Sequence, residues 1–330
     1  MMSIILLGLA FIVYLDARML RRRDERLFND VFTVSPVLTT IIAGLILFHL
    51  LVIENSPQNL PQFLFVALLP IYLLRRIRFL KMIATGSPVA MDEQGKYPAS
   101  ILVADAYNVI LIWFLAMIVI SAFLKSAGGI FPAFGSKMGQ LLLSAGFSSA
   151  IALILITRAS QKFSDRGFLY NVGLRKGERS NVKVFVVPAL VGLFFAIVSL
   201  AIIWLRHVQP VTPLSEVIEA TDSAWLFMAF LTMAILAAPL IEEIIFRGYF
   251  FHVISQAKGE RSAIYVISLA FALLHVGQYW GDWAAIVMVM LLGFALTILR
   301  AKSGTTLASI VTHYVYNAGV TLIPFYLSTG

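Results

Sequence analysis

The stretch Leu236–Ile254, LAAPLIEEIIFRGYFFHVI, sets two adjacent carboxylates, Glu242 and Glu243, and one guanidinium, Arg247, inside an otherwise apolar run. A charge near the centre of a membrane span costs roughly 2.5–3.5 kcal/mol on the insertion scale, while each apolar neighbour returns only about 0.3–0.6 kcal/mol. The three charges must therefore be paired, protonated or turned towards water. Glu243 and Arg247 are four apart, so they share a helix face and can form an ion pair with the acid on the N-terminal side. Glu242 faces elsewhere. Two neighbouring carboxyls in a low dielectric do not both ionise cheaply, and with Arg247 on Glu243, the expectation is that Glu242 has the raised pKa, as suits a general base. A buried ion pair that only fixes packing is the alternative reading of Glu243 and Arg247.

The rest of the chain has the composition of a protein built for lipid. Of 330 residues, 60% are hydrophobic and 13% charged, and the mean hydropathy is +0.91, well outside the usual soluble range. Apolar runs recur at 2–15, 34–53, 60–74, 101–124, 140–157, 184–205, 224–246, 262–276, 284–299 and 305–326. These predict an all-α bundle of about ten membrane helices, the first and third being short for a bilayer core of about 30 Å. Residues 2–15 lack the basic start and small-residue cleavage pattern of a signal peptide and read as a retained span.

A net charge of +8 raises the question of nucleic acid, which the placement of the basic residues answers. They gather in alternate loops: Arg18 to Arg26, Arg75 to Lys96, Arg158 to Lys183, Lys258 with Arg261, and Arg300 with Lys302. The other loops hold only Lys125, Lys137 and Arg206, beside Glu216, Glu219 and Asp222. By the positive-inside rule the first set is cytoplasmic and both termini are extracytoplasmic. The expected partners are the bilayer and a membrane-borne protein or peptide, not nucleic acid, and the expected location is a multi-pass position in a bacterial inner membrane. The polar stretch Ser160 to Lys183 divides five front spans, residues 1–180, from a back half, residues 181–330, that carries the chemistry. With no cysteine, disulfides, thiolate metal sites and a thiol nucleophile are excluded.

Three further polar residues stand in apolar runs of the back half. His275 closes SAIYVISLAFALLHV, with Phe271 one turn before it, and His313 and Asn317 lie four apart, hence on one face, in the last span. His49 reads as a packing residue, His207 as a loop residue and His252 as an interfacial one. If the chain turns near Lys258 and Gly259, Glu242 and His275 each lie about 16 residues, or roughly 24 Å, from the turn. From a turn near Lys302, His313 and Asn317 lie about 11 and 15 residues in, within one or two turns of that level. A shared pocket is thus geometrically feasible.

These residues form three motifs: EEIIFR from Glu242 to Arg247, FALLH from Phe271 to His275, and HYVYN from His313 to Asn317, the last preceded by SGTTLASIVTH. In order within some 76 residues, they resemble the CPBP family of CAAX prenyl protease type II and bacteriocin-processing (Abi) membrane proteins, the likeness covering about 224–327. The resemblance implies an intramembrane endopeptidase. In it Glu242 and His275 activate water, His313 and Asn317 stabilise the oxyanion, and Glu243 and Arg247, with Phe271, support that set.

Relatives are commonly labelled metalloproteases, and Glu242, His275 and His313 are chemically a zinc set with an open position. The helix lacks H-E-x-x-H, however, so a metal-free glutamate mechanism ranks ahead of zinc. Two rivals stand beside the enzyme: a catalytically inactive scaffold or bacteriocin-immunity protein using the same fold, and a proton-coupled transporter. The transporter ranks last, since no inverted repeat or pair of broken helices is visible.

Overall fold

The computed structural model describes residues 99–128, 137–206 and 224–329. The three spans expected before residue 99, with His49, and His207 lie outside the described residues. Every long element described is a helix, with no strand among the described residues. We number the helices α1 (Ala99–Gly128), α2 (Lys137–Ser160), the short α3 (Phe168–Asn171), α4 (182–206), α5 (224–258), α6 (Glu260–Val276), α7 (Trp283–Ser303) and α8 (Thr306–Thr329). All seven apolar runs expected from residue 101 onwards fall on helices, and five helices are long and apolar enough to cross a membrane.

One boundary differs. The run expected to end at Phe246 continues to Lys258, because Phe250, Phe251 and Val253 are buried in the core beyond the charged cluster. The turns fall where the register required them. Gly259 (φ 83°) stops α5 and Gly304 (φ 67°) stops α7, both in the left-handed half of backbone space that glycine enters without a Cβ clash.

The core runs across the expected boundary near residue 180. Leu102, Val109, Ala152 and Ile156 from α1 and α2 join Ile245, Tyr249, Val253, Ile267 and Phe271 from α5 and α6 in one apolar cluster. Asp105 on α1 pairs with Lys162, both almost fully buried, so the front helices are also tied electrostatically to the connection that follows α2. That connection is ordered by Asn171, whose Nδ2 donates to Ser160 O (2.8 Å) and Ser164 O (2.9 Å). It then grips the start of α8: Thr306 Oγ1 donates to Val172 O (2.6 Å) and Thr305 Oγ1 to Gly173 O (2.9 Å). His313, two turns further on, inherits a fixed starting point.

The bundle's two ends differ in chemistry. Trp204, Trp225, Trp280 and Trp283 are exposed at the end where Arg206 meets Asp282 (2.5 Å), as aromatic residues at a lipid interface are. The Arg158–Lys183 connection, Lys258, Arg261, Arg300 and Lys302 occupy the opposite end. Leu190, Phe194, Ile197 and Leu291 are exposed between the ends, an apolar girdle suited to acyl chains.

Backbone packing sets α8 against α4. A Cβ on Gly192 would stand 2.4 Å from Thr312 O, and one on Gly319 2.7 Å from Ala196 Cβ. Small residues here let the helices approach at backbone distance.

A candidate active site between three helices

Glu242 and Glu243 end a short α-helical segment, Ala238–Glu243, that lies between two π-helical ones, Met233–Ala237 and Ile244–Phe250. Pro239 explains the first. It has no N–H to give and its ring crowds the carbonyl four residues back, so the preceding turn widens. Wide turns of this kind re-aim side chains and recur at functional sites.

Glu243 and Arg247 are fully buried and paired, Nη1 to Oε1 at 2.9 Å. The guanidinium is satisfied on its other edges as well. Nη2 donates to Gly293 O (3.0 Å) and Nε to Thr297 Oγ1 (3.2 Å), and its plane lies 4.3 Å from the Phe271 ring centroid. Ser268 and Thr297 both donate to the same Gly293 carbonyl. A Cβ at Gly293 would press on the Phe271 ring at 3.2 Å and on Ser268 O at 3.3 Å, so glycine eases the close approach of α7. The guanidinium is thereby held in the geometry a desolvated ion pair needs, with partners on each of its nitrogens.

Glu243 Oε1 also accepts from His313 Nδ1 at 2.9 Å. A carboxylate only accepts, so the hydrogen is on Nδ1, and His313 Nε2 points away from the pair. Nε2 stands 4.0 Å from Glu242 Oε2, and that side chain is 27% exposed where Glu243 is sealed. Two adjacent carboxylates thus have opposite surroundings, joined by one imidazole. Ser309 stands beside Glu243 but turns its hydroxyl to Thr306 O (2.9 Å). Glu243 Oε2 has no hydrogen-bond partner among the described residues.

His275 approaches Phe271 from within α6. Its Nδ1 lies 2.8 Å from Phe271 O, and a ring nitrogen donating to its own helix leaves Nε2 as the working atom. Phe271 links the two imidazoles, its ring centroid 4.5 Å from His275 and 5.9 Å from His313. Asn317 is one turn beyond His313, and its Nδ2 donates to Ala234 O at 2.9 Å. Every candidate residue named from the sequence therefore lies on α5, α6 or α8, around Phe271 and His313. His252 does not belong to the group: its ring packs 4.1 Å from Phe163.

Several members of the site were not expected from sequence. Gly293 and Thr297 sit four apart on α7, and that small-polar pair on an apolar helix is the signal that could have found them. Arg300, whose Nε donates to Arg247 O at 3.0 Å, looked like an ordinary loop cation. Tyr279, just past His275, and Tyr316 were unmarked aromatics. Burial raises the Tyr279 hydroxyl well above the usual phenol range, and the nearby Tyr316, Glu242 and Asp282 add to this.

Zinc needs three or four protein donors converging at about 2 Å. Among the described residues no three His, Asp or Glu side chains are grouped in that way. The arrangement does not fit a zinc site, and no step below passes through a metal.

A buried chain of guanidinium, carboxylate and imidazole, opening on a second carboxylate inside an all-helical bundle, defines a multi-pass membrane protein with a polar intramembrane site. Residues 223–319, less than a third of the chain, match the family described as type II CAAX prenyl endopeptidase Rce1-like. That match is in keeping with the resemblance of the three motifs to the CPBP family. No curated protein and no solved structure matches the chain.

Proposed function

We propose that the protein is an intramembrane endopeptidase that hydrolyses a peptide bond of a membrane-associated or lipidated protein. The observation that carries this reading is His313, with one nitrogen on the sealed Glu243 and the other 4.0 Å from the accessible Glu242. A water at about 2.8 Å from each of Glu242 Oε2 and His313 Nε2 would span that gap with a near-right angle between its contacts.

Glu242, assisted by His275 Nε2, takes a proton from this water as its oxygen attacks the scissile carbonyl carbon. The carbonyl π electrons pass to oxygen, and the oxyanion forms beside His313 and is met by the Asn317 amide hydrogen left over from Ala234. Collapse of the tetrahedral intermediate breaks the C–N bond, and the proton on Glu242 passes to the departing amine. Arg247 and Glu243 keep His313 in position throughout. Nothing in this cycle leaves a net charge in the apolar core, because each proton taken is returned.

The family description makes a prenylated C-terminus the first substrate to try. Membranes expressing the wild type are compared with membranes expressing Glu242→Gln, by sequencing peptide fragments and by cleavage of a quenched farnesylated peptide. The expected result is a fragment set unique to the wild type and a loss of roughly 10²–10⁴-fold in the variant. Identical fragment sets would overturn the proposal.

A further inference from the structure

Asn317 is held by a carbonyl that helix α5 cannot satisfy itself. At the end of the first π turn the Ala238 N–H donates to Met233 O, five residues back. In a regular α-helix that N–H would have gone to Ala234 O. The next N–H in line for Ala234 at the five-residue spacing belongs to residue 239, which is proline. The Ala234 carbonyl is therefore passed over by one neighbour and has nothing to receive from the other. A carbonyl without a donor inside a membrane protein is costly, and Asn317 Nδ2 supplies the hydrogen at 2.9 Å.

The second π turn repeats the pattern. Phe251 N–H donates to Phe246 O, again five back, so Arg247 O is the carbonyl passed over. It too takes a side-chain donor from a later helix, Arg300 Nε at 3.0 Å. Twice in one helix, a carbonyl skipped by a wide turn takes its hydrogen from a polar side chain of a later helix.

We propose that Pro239 and the Met233–Ala237 π turn are a positioning device for Asn317. The orphaned Ala234 carbonyl fixes which end of the carboxamide is the nitrogen and directs its second N–H into the cleft. Without that anchor the amide is free to turn its oxygen inwards, where an oxygen repels the oxyanion it is meant to stabilise. Pro239 touches no reacting atom and acts through Asn317. The catalytic consequence rests on the peptidase reading, whereas the hydrogen bond does not.

Pro239→Ala supplies the missing N–H, which reaches Ala234 O by the spacing Ala238 already uses for Met233. The chain has seven asparagines, so selective ¹⁵N-asparagine labelling in nanodiscs gives few side-chain amide pairs, and the one lost in Asn317→Ala is assigned. In Pro239→Ala that pair is expected to move upfield and to exchange with water about 10-fold faster. A pair unchanged in position and exchange would overturn the proposal.

Thermal unfolding closes a cycle on the same variants. Asn317→Ala lowers the midpoint by about 3 °C or more in the native background and by under about 1 °C beside Pro239→Ala. Equal losses in both backgrounds would also overturn it.

Cleavage gives the functional readout, in which Pro239→Ala lowers kcat about 10-fold or more with KM within about twofold. A kcat equal to wild type, in an assay that Glu242→Gln abolishes, would remove the positioning role. Should Glu242→Gln retain cleavage, the peptidase reading falls, and the amide signal still decides whether Pro239 directs Asn317.

Discussion

The two π turns of α5 lie on either side of Glu242 and Glu243, and they are completed in opposite ways. On the side towards the basic end, Arg247 and Arg300 close the site with charged donors, and Glu243 and Arg247 have no exposed surface. On the side towards the tryptophan end, one neutral carboxamide is the donor, and Asn317 and Glu242 are only half-buried. On the proposed peptidase reading, the contrast separates two tasks that a hydrolytic site inside a membrane must combine. A desolvated carboxylate has to be neutralised by rigid, saturated partners. Its neighbour has to remain reachable by water and by a peptide.

The comparison predicts that damage on the sealed side appears in stability and damage on the open side in activity. The largest stability effect is expected from Arg247→Ala, which leaves Glu243 buried with only His313 and should cost about 3–5 kcal/mol in reversible unfolding. Retention of wild-type stability would show that the pair is not what neutralises Glu243. Thr297→Val removes the acceptor of Arg247 Nε and should cost about 1–2 kcal/mol, with turnover within about twofold. A large loss of turnover with unchanged stability would reverse the assignment.

The smallest effect lies at the tryptophan end. Burial by itself raises the pKa of Asp282, but hydrogen bonds from Arg206 and the Ala285 N–H outweigh it and leave the pKa below the usual aspartate value. A lowered carboxyl pKa stabilises the fold above the unfolded-state value near 3.9. That contribution is lost as pH falls through the folded value. Both groups are partly exposed, so the bridge contributes under about 1 kcal/mol. The unfolding difference between wild type and Arg206→Ala should shrink from pH 6 to pH 3, and a difference that grows would contradict the assignment.

Much of the site was legible because lipid makes polar residues conspicuous. Glu242, Glu243, Arg247, His275, His313 and Asn317 stand out as exceptions in apolar runs, and glycine and basic residues marked turns that the structure places at Gly259 and Gly304. Counting residues from those turns was enough to bring three helices to one level. Hydrogen-bond register was not legible. A π turn changes which carbonyl is left over without changing composition, so Ala234 and Arg247 O gave no sign of their partners although Pro239 lay in the stretch first read. Nor did sequence show that the stretch from Ser160 to Lys183, which read as a polar divider, would fold back through Val172 and Gly173 onto Thr305 and Thr306. That docking is made by hydroxyls and carbonyls, which carry no hydropathy signal.

The glycine seam between α4 and α8 has a consequence for traffic. With Gly192 against the Thr312 carbonyl and Gly319 against Ala196, the two helices leave no gap into which an extended chain could slide sideways from the bilayer. Thr312 is also latched by its hydroxyl to Pro188 O at 2.9 Å, immediately beside His313. On the proposed reading, a polypeptide reaching Glu242 must therefore pass by another face of the bundle, and the imidazole it meets is mounted on a wall of closely packed backbones.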